Sequence, residues 1–173
     1  MAIVFQYGSN SVESEMNSED RLCGDARFLD IAETVEDFEL AFDVVSKNRG
    51  CAASDIVRKP GSKVWGVLYE VPDALISRDS AKTLHRKSFD QIEGEGSNYK
   101  REMIEVRRPN GEIVTALTYT VKSPQVNLKT NLAYVGHIVA GLREHGISEG
   151  YIAAVKAIAI ANNPDIAAEV RAL

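Results

Sequence analysis

Three groupings in the chain bring chemically capable side chains close together. The first is Tyr7-Gly8-Ser9-Asn10. Gly8 permits a tight turn, and Ser9 and Asn10 favour turns and helix caps. A strand that runs into such a turn aims several backbone N–H groups outward, which makes an anion site suited to a carboxylate or a phosphate. The same four residues serve as an ordinary strand-to-helix turn. The second grouping is Asp90-Gln91-Ile92-Glu93-Gly94-Glu95. Glu93 falls on the last turn of an expected helix, where the dipole disfavours a carboxylate by roughly 0.3–1 kcal/mol. That placement raises its pKa, with Asp90 and Glu95 pushing the same way, and suits a general base near neutral pH. The plainer use of this stretch is a solvated acidic turn. The third grouping is aromatic. Tyr119 shares a strand face with Ile113, Leu117 and Val121, and Tyr7 follows Ile3 and Phe5. Both hydroxyls either converge on a pocket inside the sheet's curve or bond to backbone in the core. Tyr99 and Arg101 form a similar pair, in which Arg101 clamps a carboxylate or decorates a strand.

Other catalytic sets are missing. The three histidines, His85, His137 and His145, match no H-E-x-x-H or related metal pattern, so no metal and no cofactor are expected. There is no G-x-S-x-G elbow of the serine hydrolases. Cys23 and Cys51 have no metal-ligand spacing and read as reduced thiols in or near the core. A net charge of -5 with no basic stripe argues against a nucleic-acid partner. No apolar run approaches the ~20 residues of a membrane helix. The start, Met1 to Tyr7, lacks the basic region and cleavage site of a signal peptide, so a cytoplasmic location is expected.

The elements that must position these residues follow from periodicity. The 173 residues, 45% hydrophobic and 26% charged, suit one domain over 1–173. Strands are expected at 2–7, 38–45, 63–71 and 112–121. Pro60-Gly61 and Asn110-Gly111 give turns before the last two. A helix is expected from about Ser77 to Glu93, ended by Gly94. After Pro124 the period becomes 3.6, with Leu128, Leu132, Val135, Val139 and Leu142 in a stripe that Gly146 ends. Ser148 caps a second helix to about Ala161, stopped by Asn162-Asn163-Pro164. Strands first and helices later predict an α+β fold: a curved, mostly antiparallel sheet or small barrel over about 1–122, with C-terminal helices over about 126–173. Those helices pack on the barrel, as a monomer or through a homodimer.

In this order the pieces resemble the gamma-glutamylcyclotransferase-like family. The likeness runs through Tyr7-Gly8-Ser9-Asn10, Lys63-Val64-Trp65-Gly66-Val67-Leu68-Tyr69, Phe89-Asp90-Gln91-Ile92-Glu93-Gly94, Tyr99-Lys100-Arg101, and a tail with Tyr134, Gly136, Gly141, His145-Gly146-Ile147 and Tyr151. It spans nearly the whole chain. Gln6, Ser11, Phe89 and Glu95 depart from the usual family residues without removing a catalytic group.

The resemblance implies a small β-barrel with flanking helices and a γ-glutamyl substrate. In such enzymes the substrate's α-amino group attacks its own γ-carbonyl, releasing 5-oxoproline and an amine or amino acid. Glu93 matches the catalytic glutamate, Tyr7 through Asn10 the substrate loop, and Tyr119 a late-strand tyrosine of the site. This chemistry needs no protein nucleophile and no metal. Two other uses fit the same residues: removal of a γ-glutamyl protecting group from an amine in a biosynthetic pathway, and a non-catalytic ligand-binding module.

Overall fold

The computed structural model describes residues 1–173. Seven strands form two sheets. β1 (Ala2–Gln6), β2 (Arg27–Thr34), β5 (Trp65–Val71), β6 (Tyr99–Arg107) and β7 (Ile113–Val121) close a barrel in the order β1-β5-β2-β6-β7. Four of its junctions are antiparallel, and the closing one, β1 to β7, is parallel through Val4 opposite Leu117. That seam carries a side-chain bond as well: Thr118 Oγ1 donates to the Phe5 carbonyl at 3.0 Å.

β3 (Phe38–Ser46) and β4 (Cys51–Arg58) form a separate two-stranded ribbon. Phe38, Leu40, Phe42 and Val44 are buried in alternation, as the sequence period requires. A bulge at Asp43 interrupts the register between Phe42 and Val44. The ribbon is tied to the barrel by polar bonds. Asp55 Oδ1 accepts from the Val121 N–H at 2.9 Å, and Tyr99 Oη donates to the Ser54 carbonyl at 2.8 Å.

The expected strands at 2–7, 38–45, 63–71 and 112–121 are present within one or two residues, and Asn110-Gly111 turns β6 into β7 with Gly111 at φ +88°. β2, β4 and β6 were not placed by the pattern. β6 alternates charged residues with apolar ones facing a barrel, and β4 is built from Ala and Ser, which have weak strand signals.

The helix expected over 77–93 is two helices: α2 (Arg78–Lys82) and α3 (Phe89–Glu93). Ser88 breaks the run by starting a new helix. Its hydroxyl accepts from the Gln91 N–H, and the Gln91 side chain returns a bond to the Ser88 N–H, a complete capping box. Gly94 in the left-handed region, φ +71°, ends α3 after five residues.

α1 (Glu13–Met16) follows a 3-10 turn at Ser9–Ser11. α4 (Leu132–Glu144), capped by the Asn131 side chain, lies across that turn, and α5 (Glu149–Asn162), capped by Ser148, follows it. α6 (Ala167–Ala172) completes the chain. Buried apolar side chains form one contiguous set from Val4 and Phe5 in the barrel to Leu142, Ile152 and Val170 in the helices. Cys51 is part-buried and Cys23 is exposed, so Cys23 is not core filler; both thiols are free. No helix is long and apolar enough to cross a membrane.

Gly141 sets how closely α4 approaches the turn after β1. A Cβ there would lie 2.8 Å from Ser11 C and Val12 N, both backbone atoms. Gly141→Ala is expected to cost about 1–3 kcal/mol by forcing the two apart. Thermal denaturation should show a Tm drop of about 2–4 °C for each kcal/mol. An unchanged Tm would mean that α4 is not seated on this turn.

Candidate active site

A cavity of about 470 Å³ opens between the barrel end, the β3–β4 ribbon and α3. Tyr7, Gly8, Ser9 and Asn10 form part of its wall, and Glu93, Tyr99 and Tyr119 line it as well. The structure therefore gathers seven of the eight expected residues around one space. Arg101 is the exception. It stands beside Asp90, with Nε 3.7 Å from Oδ1, and does not line the cavity.

Glu93 is placed by α3, which is anchored through its first turn. Asp90 Oδ1 accepts from Tyr119 Oη at 2.7 Å, and the Phe89 ring meets the Tyr119 ring edge-on at 5.4 Å. The Asp90 N–H donates to the Ile76 carbonyl. With Asp90 held on β7, the residue one helical turn later projects to the cavity. Tyr119 thus positions Asp90 through a side-chain bond, where the sequence offered a pocket or a backbone partner for its hydroxyl. Tyr7 Oη donates to the Tyr119 carbonyl at 2.5 Å. Burial pushes both phenols above the ordinary tyrosine range, so they remain neutral.

Glu93 Oε1 accepts from Asn10 Nδ2 at 2.6 Å. The other end of that amide is also used: Asn10 Oδ1 accepts from Arg21 Nη1 at 2.6 Å. A carboxylate on one side and a guanidinium on the other fix which way the buried amide faces. Arg21 continues to Glu15 Oε1 at 3.1 Å, and Glu15 also holds Arg49 and His137.

The carboxyl of Glu93 is pushed up to about 7. Loss of water contact is the largest cause, and the Asn10 hydrogen bond and the Arg21 charge oppose it. The residue stays part-exposed to the cavity. The direction agrees with the sequence expectation, but the cause differs. A five-residue helix has little macrodipole, Asp90 is turned onto Tyr119, and the neighbouring like charge is Glu15, not Asp90 or Glu95.

The turn after β1 supplies the complementary charge. The backbone N–H groups of Gly8, Ser9 and Asn10 donate to no protein acceptor, whereas those of Ser11 and Val12 close the 3-10 turn. Ser11 secures the turn from behind. Its hydroxyl donates to the Gln6 carbonyl, and its own carbonyl accepts from Tyr69 Oη at 3.1 Å and lies 3.0 Å from His145 Nε2. A Cβ at Gly8 would sit 2.5 Å from Ser54 Oγ and so displace the hydroxyl that meets Tyr134.

Arg21, Arg49, Ser54 and Tyr134 also line the cavity and were not singled out in the sequence as site residues. Ser54 and Tyr134 meet there, with Oγ and Oη 2.8 Å apart. None of these residues carries a local motif. The cation-rich turn Lys47-Asn48-Arg49-Gly50 was the one available signal. One grouping has metal-ligand composition: Glu13, Glu144 and His145 place one ligand atom each within 4.8 Å of one another. None of the three lines the cavity.

Comparison with known proteins agrees with this geometry. Residues 4–136 match the family described as "Gamma-glutamyl cyclotransferase, AIG2-like". No curated protein sequence matches the chain. Among solved structures, a gamma-glutamyl cyclotransferase superposes with a TM-score of 0.74 at 23% identity, covering 91% of this chain and 87% of that one. An uncharacterized protein from Homo sapiens gives 0.73 at 24% identity, over 91% and 87%. YkqA from Bacillus subtilis gives 0.71 at 17% identity, over 91% of this chain and 54% of that one. At such identities the likeness to these structures is one of fold.

The buried carboxyl predicts a stability signature. A raised folded-state pKa stabilises the fold below the ordinary value of 4.5, and that contribution is lost as pH rises through about 7. Glu93→Gln removes the titration. The Tm of Glu93→Gln minus that of the unchanged protein should therefore grow between pH 5 and pH 8. A pH-independent difference would place Glu93 in bulk-like solvent.

Proposed function

The chain belongs to the gamma-glutamyl cyclotransferase, AIG2-like family, and from that membership we propose that it cleaves γ-glutamyl amides by intramolecular cyclisation. The observation that carries the reading is the meeting of Glu93, raised to about 7, with three unpaired backbone N–H groups across one cavity. A proton-transfer group poised near neutrality then faces a site for negative charge.

Each step needs only what this cavity contains. The unpaired N–H groups of Gly8, Ser9 and Asn10 receive the substrate's negative oxygens. Ionised Glu93 takes a proton from the α-ammonium, and the freed nitrogen attacks the γ-carbonyl carbon. A C–N bond forms and the carbonyl electrons move to oxygen. The oxyanion is stabilised by backbone N–H dipoles, and losing one such donor typically costs about 10²–10³-fold. Glu93 then returns the proton to the amide nitrogen. The original C–N bond breaks, the regenerated carboxylate passes the ring nitrogen's second proton to the departing amine, and 5-oxoproline and an ammonium leave. Holding nucleophile and carbonyl in one folded substrate supplies roughly 7–11 kcal/mol of barrier reduction. Proton transfer by a well-placed carboxylate adds about 10²–10⁴-fold.

Asn10 has a defined part in this scheme. Its N–H bond stabilises the ionised form of Glu93 against the pull of burial. A base must be ionised to accept, so activity needs pH near or above 7, and Asn10 keeps that threshold low.

Incubation with a γ-glutamyl dipeptide should release 5-oxoproline, detected by mass spectrometry. Glu93→Gln, with its circular dichroism unchanged, should lose at least about 10²-fold in kcat. A folded Gln variant with near-normal turnover would reject Glu93 as the base. In pH profiles of kcat/KM, the acid limb should fall with an apparent pKa about 7. Asn10→Ala should move that limb to higher pH. A limb unmoved by Asn10→Ala would assign it to another group.

A further inference from the structure

Three side chains able to hold a metal meet behind the turn that follows β1, outside the cavity. Glu13 opens α1, Glu144 is the last residue of α4, and His145 follows it. Each places one ligand atom within 4.8 Å of the other two. Neither carboxylate joins an ion pair, and Arg143, the adjacent base, is held by both carboxylate oxygens of Glu149. Two negative charges therefore stand together at the C-terminal end of a 13-residue helix, where the dipole is also negative and favours a cation. Tyr69 registers both of them. Burial first, and then the charges of Glu13 and Glu144, push its phenol above the ordinary tyrosine range.

The His145 ring is already set for ligation. Its Nε2 lies 3.0 Å from the Ser11 carbonyl oxygen. A carbonyl can only accept, so Nε2 carries a proton, and the neutral ring keeps its lone pair on Nδ1. A backbone acceptor on one ring nitrogen is the usual way a protein fixes the tautomer of a ligating histidine. The ring plane is fixed as well. Phe28 stacks on it with centroids 4.6 Å apart, and Tyr69 meets it edge-on at 6.1 Å. The glutamates supply the adjustment: Glu144 is exposed and Glu13 part-exposed. Tetrahedral zinc, with bonds of about 2.0–2.1 Å, sets its donors about 3.3 Å apart. Rotation of the two carboxylates has to close a gap of at most about 1.5 Å to reach that spacing.

We propose that Glu13, Glu144 and His145 bind one divalent transition-metal ion of the zinc class, which clamps the end of α4 to α1. Two carboxylates neutralise the ion's charge, and the imidazole nitrogen selects zinc, cobalt or nickel over magnesium and calcium, which prefer oxygen donors. The donors sit at positions 13, 144 and 145, so no local spacing in the sequence announces them. The ion takes no part in the chemistry at Glu93, because none of its three ligands lines that cavity. Its effect is to brace the fold: a metal on His145 also fixes the group that holds the Ser11 carbonyl.

Calorimetric titration of zinc chloride into the full chain, first stripped with a chelator, should show one ion bound per chain, and excess magnesium should not displace it. Glu13→Gln and Glu144→Gln should each weaken zinc binding at least about 10-fold, and His145→Gln should do the same. His145→Gln also loosens Ser11, whereas the two glutamate variants leave that bond in place, so they carry the decision. Cobalt in place of zinc should give visible d–d absorption in the unchanged protein that Glu144→Gln loses. Zinc should raise the Tm of the unchanged protein and raise that of Glu144→Gln much less. No readout depends on turnover, so the outcome is independent of the cyclotransferase reading. Failure to bind one zinc per chain, or binding that survives either glutamate substitution, as it would at His137 with Glu15 or at Cys23, would overturn the site.

Discussion

The hydrogen bond from Asn10 to Glu93 is the contact on which the site depends. It joins the turn after the first strand to the end of a short helix more than eighty residues later. Burial alone would drive the Glu93 carboxyl towards its neutral form, and full solvation would leave it a weak base. Asn10 holds it between those limits because its amide is itself gripped at the other end by Arg21. Arg21 in turn leans on Glu15, which also collects Arg49 and His137. The acidity of one side chain is thus set by a chain of polar groups reaching the β3–β4 turn.

Much of the fold serves to keep the two ends of that contact in place. On the strand side, Ser11 is fixed by Gln6, Tyr69 and His145, and α4 presses on its backbone across Gly141. On the helix side, α3 is too short to be stable in isolation. It persists because Phe89 and Asp90 are both bound to Tyr119. The β3–β4 ribbon closes the remaining side, hung on Asp55, Ser54 and Tyr134. The phenols that line the cavity are occupied in this scaffolding. The N–H groups of Gly8, Ser9 and Asn10 and the remaining donors of Arg49 have no protein acceptor.

Local signals were legible wherever one residue type answers one steric or hydrogen-bonding demand. Asn110-Gly111 marked its hairpin, Ser148 its helix cap and Gly94 its helix end, because each choice is decided by a few neighbouring atoms. Ser88 was readable in principle as a capping box with Gln91, but the apolar period on either side masked it. β4 escaped because Ala and Ser carry weak strand signals, and β2 and β6 because charged residues interrupt their apolar positions.

The sequence alone determined four of the seven strands, the two long C-terminal helices, the turn at Tyr7–Asn10, and an acid at position 93 directly before a left-handed glycine. These follow from dihedral preference and spacing, which act over a few residues. Only the tertiary structure decided what that acid faces. Loss of water, not a helix dipole, raises it, Tyr119 serves Asp90, and Arg21 and Arg49 enter the cavity from segments without a motif. Solvation and Coulomb forces act between groups near in space, whatever their separation along the chain, so they become readable only once the barrel has closed.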